Sequence, residues 1–251
     1  MRRKPAGRLH QIADAAIIVL SQQGYRLTQM ADVAREAGLS AGALYSYVEG
    51  KEALLHLALA HAFELEFDES DLPYRVSSPD ETLHLLKREF KRPAVWPVLS
   101  KKIRAGSVPL QPADLAGVAA ELYDTMHARR RRIWLLDRCA RDVPEIADLY
   151  VKQVKAQYLK DLAAFIAAGQ VQGLFNRDID SPTAARALLE MTAWLAMHRL
   201  RDALPLQVDE DQVRQAAVLL IGNALHRPEG RSADVREGSK AKSSRPARKT
   251  R

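Results

Sequence analysis

The chain has 251 residues, with 38 Lys+Arg against 31 Asp+Glu, a net charge of +7, 47% apolar residues and one cysteine. A chain this long buries enough surface to fold without disulfides or a structural metal, and Cys139 alone cannot form an internal disulfide, so a reducing, cytoplasmic setting is expected. The longest purely apolar runs, residues 15–20 and 216–221, are far short of the roughly 20 residues a membrane span needs, and no cleavable apolar leader follows the basic first residues.

The charge is unevenly spread. Residues 226–251 carry nine Arg/Lys against three acids, and residues 1–8 carry four against none, which leaves −3 on residues 9–225. The basic arm 1–8 and the basic tail 227–251 therefore flank a mildly acidic body. The tail has almost no apolar side chain after Val235, so it reads as a disordered segment that attracts phosphate or simply solubilises.

Helical periodicity runs through the body and strand signals are nearly absent, so the fold class is all-α. Leu9, Ile12, Ala13, Ala16, Ile17 and Leu20 form one helical stripe, closed by Gly24. Two short segments follow, 29–36 and 41–48, separated by Ala37-Gly38-Leu39, and then a longer helix from Lys51 to about Asp68. Pro79 opens a helix that ends before Pro93; another spans about 95–104, and 106–112 is a loop. Further helices are expected over 113–140, 144–172, 182–203 and 209–226, with Pro144 and Pro182 in first turns and Ser181 as an N-cap. The last two are apolar nearly all round. Pairing with the same two helices of a second copy would cover them; a buried pair in a monomer is the alternative.

The two short segments form a helix-turn-helix pattern. Gly38 gives the turn its backbone freedom, and Met30, Val33, Ala34, Ala37, Leu39 and Leu44 pack the two helices together. Ser40 caps the second helix. Ala41, Gly42 and Ala43 are small enough for its backbone to enter a major groove, Tyr45 and Tyr47 offer hydroxyls to phosphates or base edges, and Lys51 offers a charge to the flanking backbone.

The fuller string, from Gly24-Tyr25 through Thr28, Met30, Val33-Ala34 and Ala37-Gly38-Leu39-Ser40 to Gly42-Ala43-Leu44-Tyr45, Tyr47-Val48, Lys51-Glu52 and Leu54, resembles the TetR (tetracycline-repressor) family of transcription regulators. The resemblance implies an N-terminal three-helix helix-turn-helix domain (9–57) and a larger helical ligand-binding and dimerisation domain (58–226). It implies a repressor that binds a palindromic operator in double-stranded DNA as a homodimer, through the helices near 182–203 and 209–226, and leaves it when a small apolar or amphipathic inducer binds. Thr28, Ser40, Ala41, Tyr45, Tyr47 and Lys51 match DNA-contacting positions of that family, and Gly42 and Ala43 match positions of close approach. Val48 departs from the usual phenylalanine, which should loosen packing at the end of the recognition helix. No Arg, Asn or Gln lies within 40–48, so specificity leans on DNA shape, on Gln29, or on Arg2, Arg3 and Lys4 in a neighbouring minor groove.

No catalytic, cofactor or metal string is present, and neither cofactor nor metal is expected. Two other readings stand beside the regulator: an all-helical enzyme, and an architectural DNA-binding protein that ignores sequence. His84, Trp96, Tyr123, His127, Trp134, Phe165 and Trp194 are the candidates to line a ligand cavity, most of them doubling as plain core. The Arg129–Arg132 run is expected to pair in part with Asp124 or Glu121.

Overall fold

The structure, a computed structural model, describes residues 7–78, 80–91, 96–104, 109–204 and 207–226. The arm residues Arg2, Arg3 and Lys4, the turn prolines Pro79 and Pro93, residues 105–108 and the basic tail lie outside that set. The described residues fold as helices joined by turns, with two isolated bridges, Val48 to Tyr74 and Phe175 to His226. No helix among them is long and apolar enough to cross a membrane.

In chain order the helices are α1 (Arg8–Leu27), α2 (Met30–Glu36), α3 (Ala41–Tyr45), α4 (Lys51–Ala62), α5 (Asp80–Phe90), α6 (Pro97–Arg104), α7 (Ala113–Ala128), α8 (Arg130–Cys139), α9 (Pro144–Ile146), α10 (Ala156–Val171), α11 (Ser181–Ala196) and α12 (Glu210–Ala224). A π-helical stretch, Ala147–Lys155, joins α9 to α10, and a 3-10 turn, His198–Arg201, follows α11.

Several boundaries differ from the sequence expectation, each for a local reason. The helix from Lys51 stops at Ala62 because Glu64 turns left-handed (φ 58°) and Leu65 N–H donates back to Ala60. The expected 113–140 helix breaks at Arg129 (φ −103°, ψ 15°), which redirects α8 away from α7. Asp180, not Ser181, caps α11: its carboxylate accepts from Thr183 N–H at 3.0 Å. Asp209 caps α12 in the same way.

The buried side chains gather into two cores. The first joins α1–α4 to Leu85 and Leu86 of α5, Leu135, Leu136 and Cys139 of α8, and then Ile146 and Tyr150. The second lies among α6, α7, α10, α11 and α12. The break at Arg129 is what allows α8 to leave the second core and pack along α1. Fully burying a Leu or Ile side chain contributes roughly 1.5–3 kcal/mol, so the α1 stripe of Leu9, Ile12, Ile17 and Leu20 is a major support of the first core.

Candidate nucleic-acid interface

The geometry starts at Gly24, which holds φ 84° and ψ 172°, a region closed in practice to other residues. A Cβ there would sit 2.4 Å from both Arg138 Nη1 and Asp142 Oδ2. Arg138 donates to the Gln23 carbonyl, and Asp142 Oδ2 accepts from Arg26 N–H at 3.0 Å, so the end of α1 is clamped to the C-terminal end of α8. Thr28 follows, buried, with its hydroxyl donating to the Gly24 carbonyl at 2.7 Å. The structure thus sets Thr28 inside the scaffold, apart from the outward-facing residues.

The first short helix is fixed by a reciprocal cap. The Gln29 side chain accepts from Asp32 N–H, and Asp32 Oδ2 accepts from Gln29 N–H at 3.1 Å. Gln29 stays exposed, and its amide N–H₂ keeps its donors. Met30, Val33 and Ala34 are buried, as the spacing predicts. The turn closes through Leu39 N–H to Ala34 at 2.7 Å, with Gly38 left-handed at φ 64°. Arg8, counted with the basic arm in the sequence, donates to the Ala37 carbonyl at 3.1 Å and braces this turn instead.

Ser40 caps α3 by accepting from Ala43 N–H at 3.1 Å. Leu44 alone of α3 is buried; Ala41 and Gly42 face outward, Ala43 is partly covered, and Tyr45 is 50% exposed. The helix is shorter than expected and ends at Tyr45, where the Ser46 hydroxyl donates to the Ala43 carbonyl at 2.7 Å. Val48, where looser packing was expected, is fully buried. Its segment is pinned by backbone instead: Tyr74 N–H donates to Tyr47 at 2.7 Å and Glu49 N–H donates to Tyr74 at 3.0 Å. Tyr47 is half-buried beside this bridge. Lys51 donates to the Arg26 carbonyl at 3.0 Å and lies 4.8 Å over the Tyr25 ring. Arg26, which is not among the residues of the family string, is exposed beside it. Its position opposite Lys51 follows the kink at Gly24, where the first helical stripe was expected to close.

Two sequence models match the chain: bacterial regulatory proteins of the tetR family over residues 12–58, and a tetracyclin repressor-like C-terminal domain over residues 112–197. The chain belongs to the TetR family. It is 22% identical over 220 residues to the HTH-type transcriptional repressor KstR2 of Rhodococcus jostii, covering 87% of this chain and 92% of that one. It is 38% identical over 69 residues to the HTH-type transcriptional regulator HbdR of Aromatoleum sp., where the match spans only 29% of HbdR. The solved structure of the ketosteroid transcriptional regulator KstR2 of Mycobacterium tuberculosis has the same fold, with a TM-score of 0.54 at 16% identity over 89% of this chain and 97% of that one.

The seven candidate ligand residues of this TetR-family chain sit in several different surroundings among the described residues. Tyr123 is buried, with its hydroxyl donating to Glu210 at 2.5 Å and its ring stacked on His127. Burial and the Glu210 hydrogen bond push the phenol up to about 12. Burial opposes ionisation of Glu210, but hydrogen bonds from Arg199 and Tyr123 outweigh it and hold the carboxyl below its ordinary value. Phe165 packs on Phe175 in the second core. Trp134 lies under the Arg201 guanidinium at 3.7 Å. His84 and Trp194 face outward on α5 and α11. Of the seven, Trp96 lines a cleft of about 650 Å³ between α5, α6 and the π-helical stretch leading into α10, with Lys87, Phe90, Lys152 and Tyr158 among its other walls.

Other expectations are corrected by specific contacts. Asp124 pairs with Arg214 at 2.6 Å, and Glu121 accepts from Val98 and Leu99 N–H at the start of α6, so neither serves the arginine run. Arg131 instead meets Asp14, which also receives His61 at 3.1 Å. Arg132 covers the Phe63 ring at 4.4 Å. Burial pushes the Cys139 thiol up to about 12, which makes it a packing residue with little nucleophilic thiolate.

Proposed function

We propose that the protein is a ligand-responsive transcriptional repressor that binds a palindromic operator as a homodimer. The observation that carries the reading is α3: five residues, capped by Ser40, anchored inward by Leu44 alone, and turned outward with Ala41, Gly42 and a half-exposed Tyr45. A short segment of small side chains held on a packed scaffold suits close entry into a major groove. Ser40, Tyr45, Tyr47 and Lys51 are assigned to phosphates and base edges, Ala41, Gly42 and Ala43 to close approach, and Gln29 to a flanking base. Thr28 shapes the Gly24 turn from inside and acts on DNA through it.

The DNA-binding unit is assigned to residues 9–57 and the ligand and dimer unit to 58–226. The dimer is assigned to the two C-terminal helices. Supporting this, Trp194, Leu219 and Leu220 are 43%, 56% and 58% exposed there, an apolar surface that a second copy would cover. An inducer acts by binding more tightly to the dimer geometry that misfits the operator. The named relatives are transcriptional regulators, which favours this reading over an enzyme.

Selection of bound duplexes from random DNA tests the proposal. The expected result is enrichment of an inverted repeat whose two halves lie about one helical turn apart. Recovery of unrelated sequences, with affinity set by salt alone, would replace the repressor with the architectural reading.

A further inference from the structure

We propose that the cleft between α5, α6 and the π-helical stretch takes an amphipathic organic anion: a phosphate- or carboxylate-bearing head at the lysines and an apolar body on Trp96 and Phe90. The inference deepens the ligand-responsive reading and rests on it.

The charge is one-sided. Lys87, Lys91, Lys152 and Lys160 line the cleft, against the single carboxylate of Asp161, which accepts from Gln157 at 2.9 Å. Lys152 pairs with Asp148 at 2.5 Å, while Lys87, Lys91 and Lys160 have no ion-pair partner among the described residues. Like charges gathered at a concave, partly apolar surface raise the local potential and favour an anion. The floor is aromatic: Trp96 lies 4.4 Å from Tyr158, and Phe90 stacks on Tyr150 at 6.1 Å.

A second, independent feature marks the same place. Tyr158 is buried, lines the cleft, and its hydroxyl has no hydrogen-bond partner among the described residues. A buried polar atom left unpaired destabilises the ligand-free protein, and an occupant seated deeply enough to reach it would satisfy it. One wall is also the π-helical stretch Ala147–Lys155, a distortion that is rare and often found at functional sites. Phe90 packs against the first core, while Trp96 and Tyr158 belong to the second. An occupant therefore sits between the part that presents α3 and the part that carries α11 and α12.

Calorimetric titration of the full chain with decyl phosphate, decanoate, decyl maltoside and inorganic phosphate, each below any micellar concentration, tests this. Decyl phosphate should bind at least about tenfold more tightly than either decyl maltoside or inorganic phosphate, since only it satisfies both halves of the cleft. Decanoate binding tells whether a carboxylate head serves as well as a phosphate one. The double variant K87E/K160E should lose about tenfold or more in decyl phosphate affinity, as should K91Q/K152Q if the first pair disturbs folding by circular dichroism. Y158F should weaken binding several-fold while leaving the ligand-free melting temperature unchanged or higher. Equal binding of decyl phosphate and decyl maltoside, equal binding of inorganic phosphate, unaltered affinity in the lysine variants, or no binding by either anionic amphiphile would overturn the proposal. Because these titrations contain no DNA, a failure here is distinct from a failure to select an operator.

Discussion

Gly24 is a single residue on which the placement of the DNA-facing surface turns. Its backbone conformation alone costs another residue about 1–3 kcal/mol, and the missing Cβ is where Arg138 and Asp142 approach. Gly24→Ala is therefore expected to lower stability by at least about 2 kcal/mol, a sizeable share of a typical total, read as a fall in thermal midpoint. An unchanged midpoint would mean that the clamp relaxes freely. Tyr45 poses the opposite case. It is half-exposed and contributes little to the core, so Tyr45→Ala should stay within about 0.5 kcal/mol of the parent in stability. The same variant should bind the selected operator at least about tenfold more weakly in a gel shift, with Tyr45→Phe separating the hydroxyl from the ring. Loss of stability rather than affinity would place Tyr45 in packing.

The elements show how a very short helix is made to hold one conformation. Five residues are too few to be stable by propensity, so α3 depends on its neighbours. The Ser40 cap, the buried Leu44 and the main-chain bridge from Tyr47 and Glu49 to Tyr74 supply that support. Ser40→Ala should cost about 0.5–2 kcal/mol in chemical denaturation and weaken operator binding, whereas Ser40→Gly should cost only a few tenths. Equal losses of operator affinity in both variants, despite their unequal stability, would point to the hydroxyl on DNA rather than to the cap. The cap, the turn glycine and the apolar positions of this unit were legible because their signals are local. The Tyr74 bridge was not: Tyr74 lies far along the chain, and a single bridge leaves no alternating pattern. The bridge also explains why Val48 packs without a larger side chain, since backbone hydrogen bonds hold the segment it sits on.

At the scale of the whole molecule, the two C-terminal helices keep one face on α7 and α10 and leave Trp194, Leu219 and Leu220 outside. The double variant Leu219→Glu with Leu220→Glu should leave the fold intact and convert a dimer to monomer in sedimentation, with loss of affinity for the two-half operator. A variant that still sediments as a dimer would move the interface elsewhere. The helical class, the helix-turn-helix, and the two helices with apolar surface to spare are legible in the order of residues alone, because helical periodicity, caps and turn glycines act within a few residues. Which aromatics are core, that Arg129 turns α8 back onto α1, that Thr28 points inward, and that lysines from α5 and its following turn meet lysines of the π-helical stretch and α10 around Trp96 and Tyr158 all emerge only on packing. Those are distances between residues remote in the chain, and periodicity along one helix says which side is apolar but not which neighbour comes to meet it.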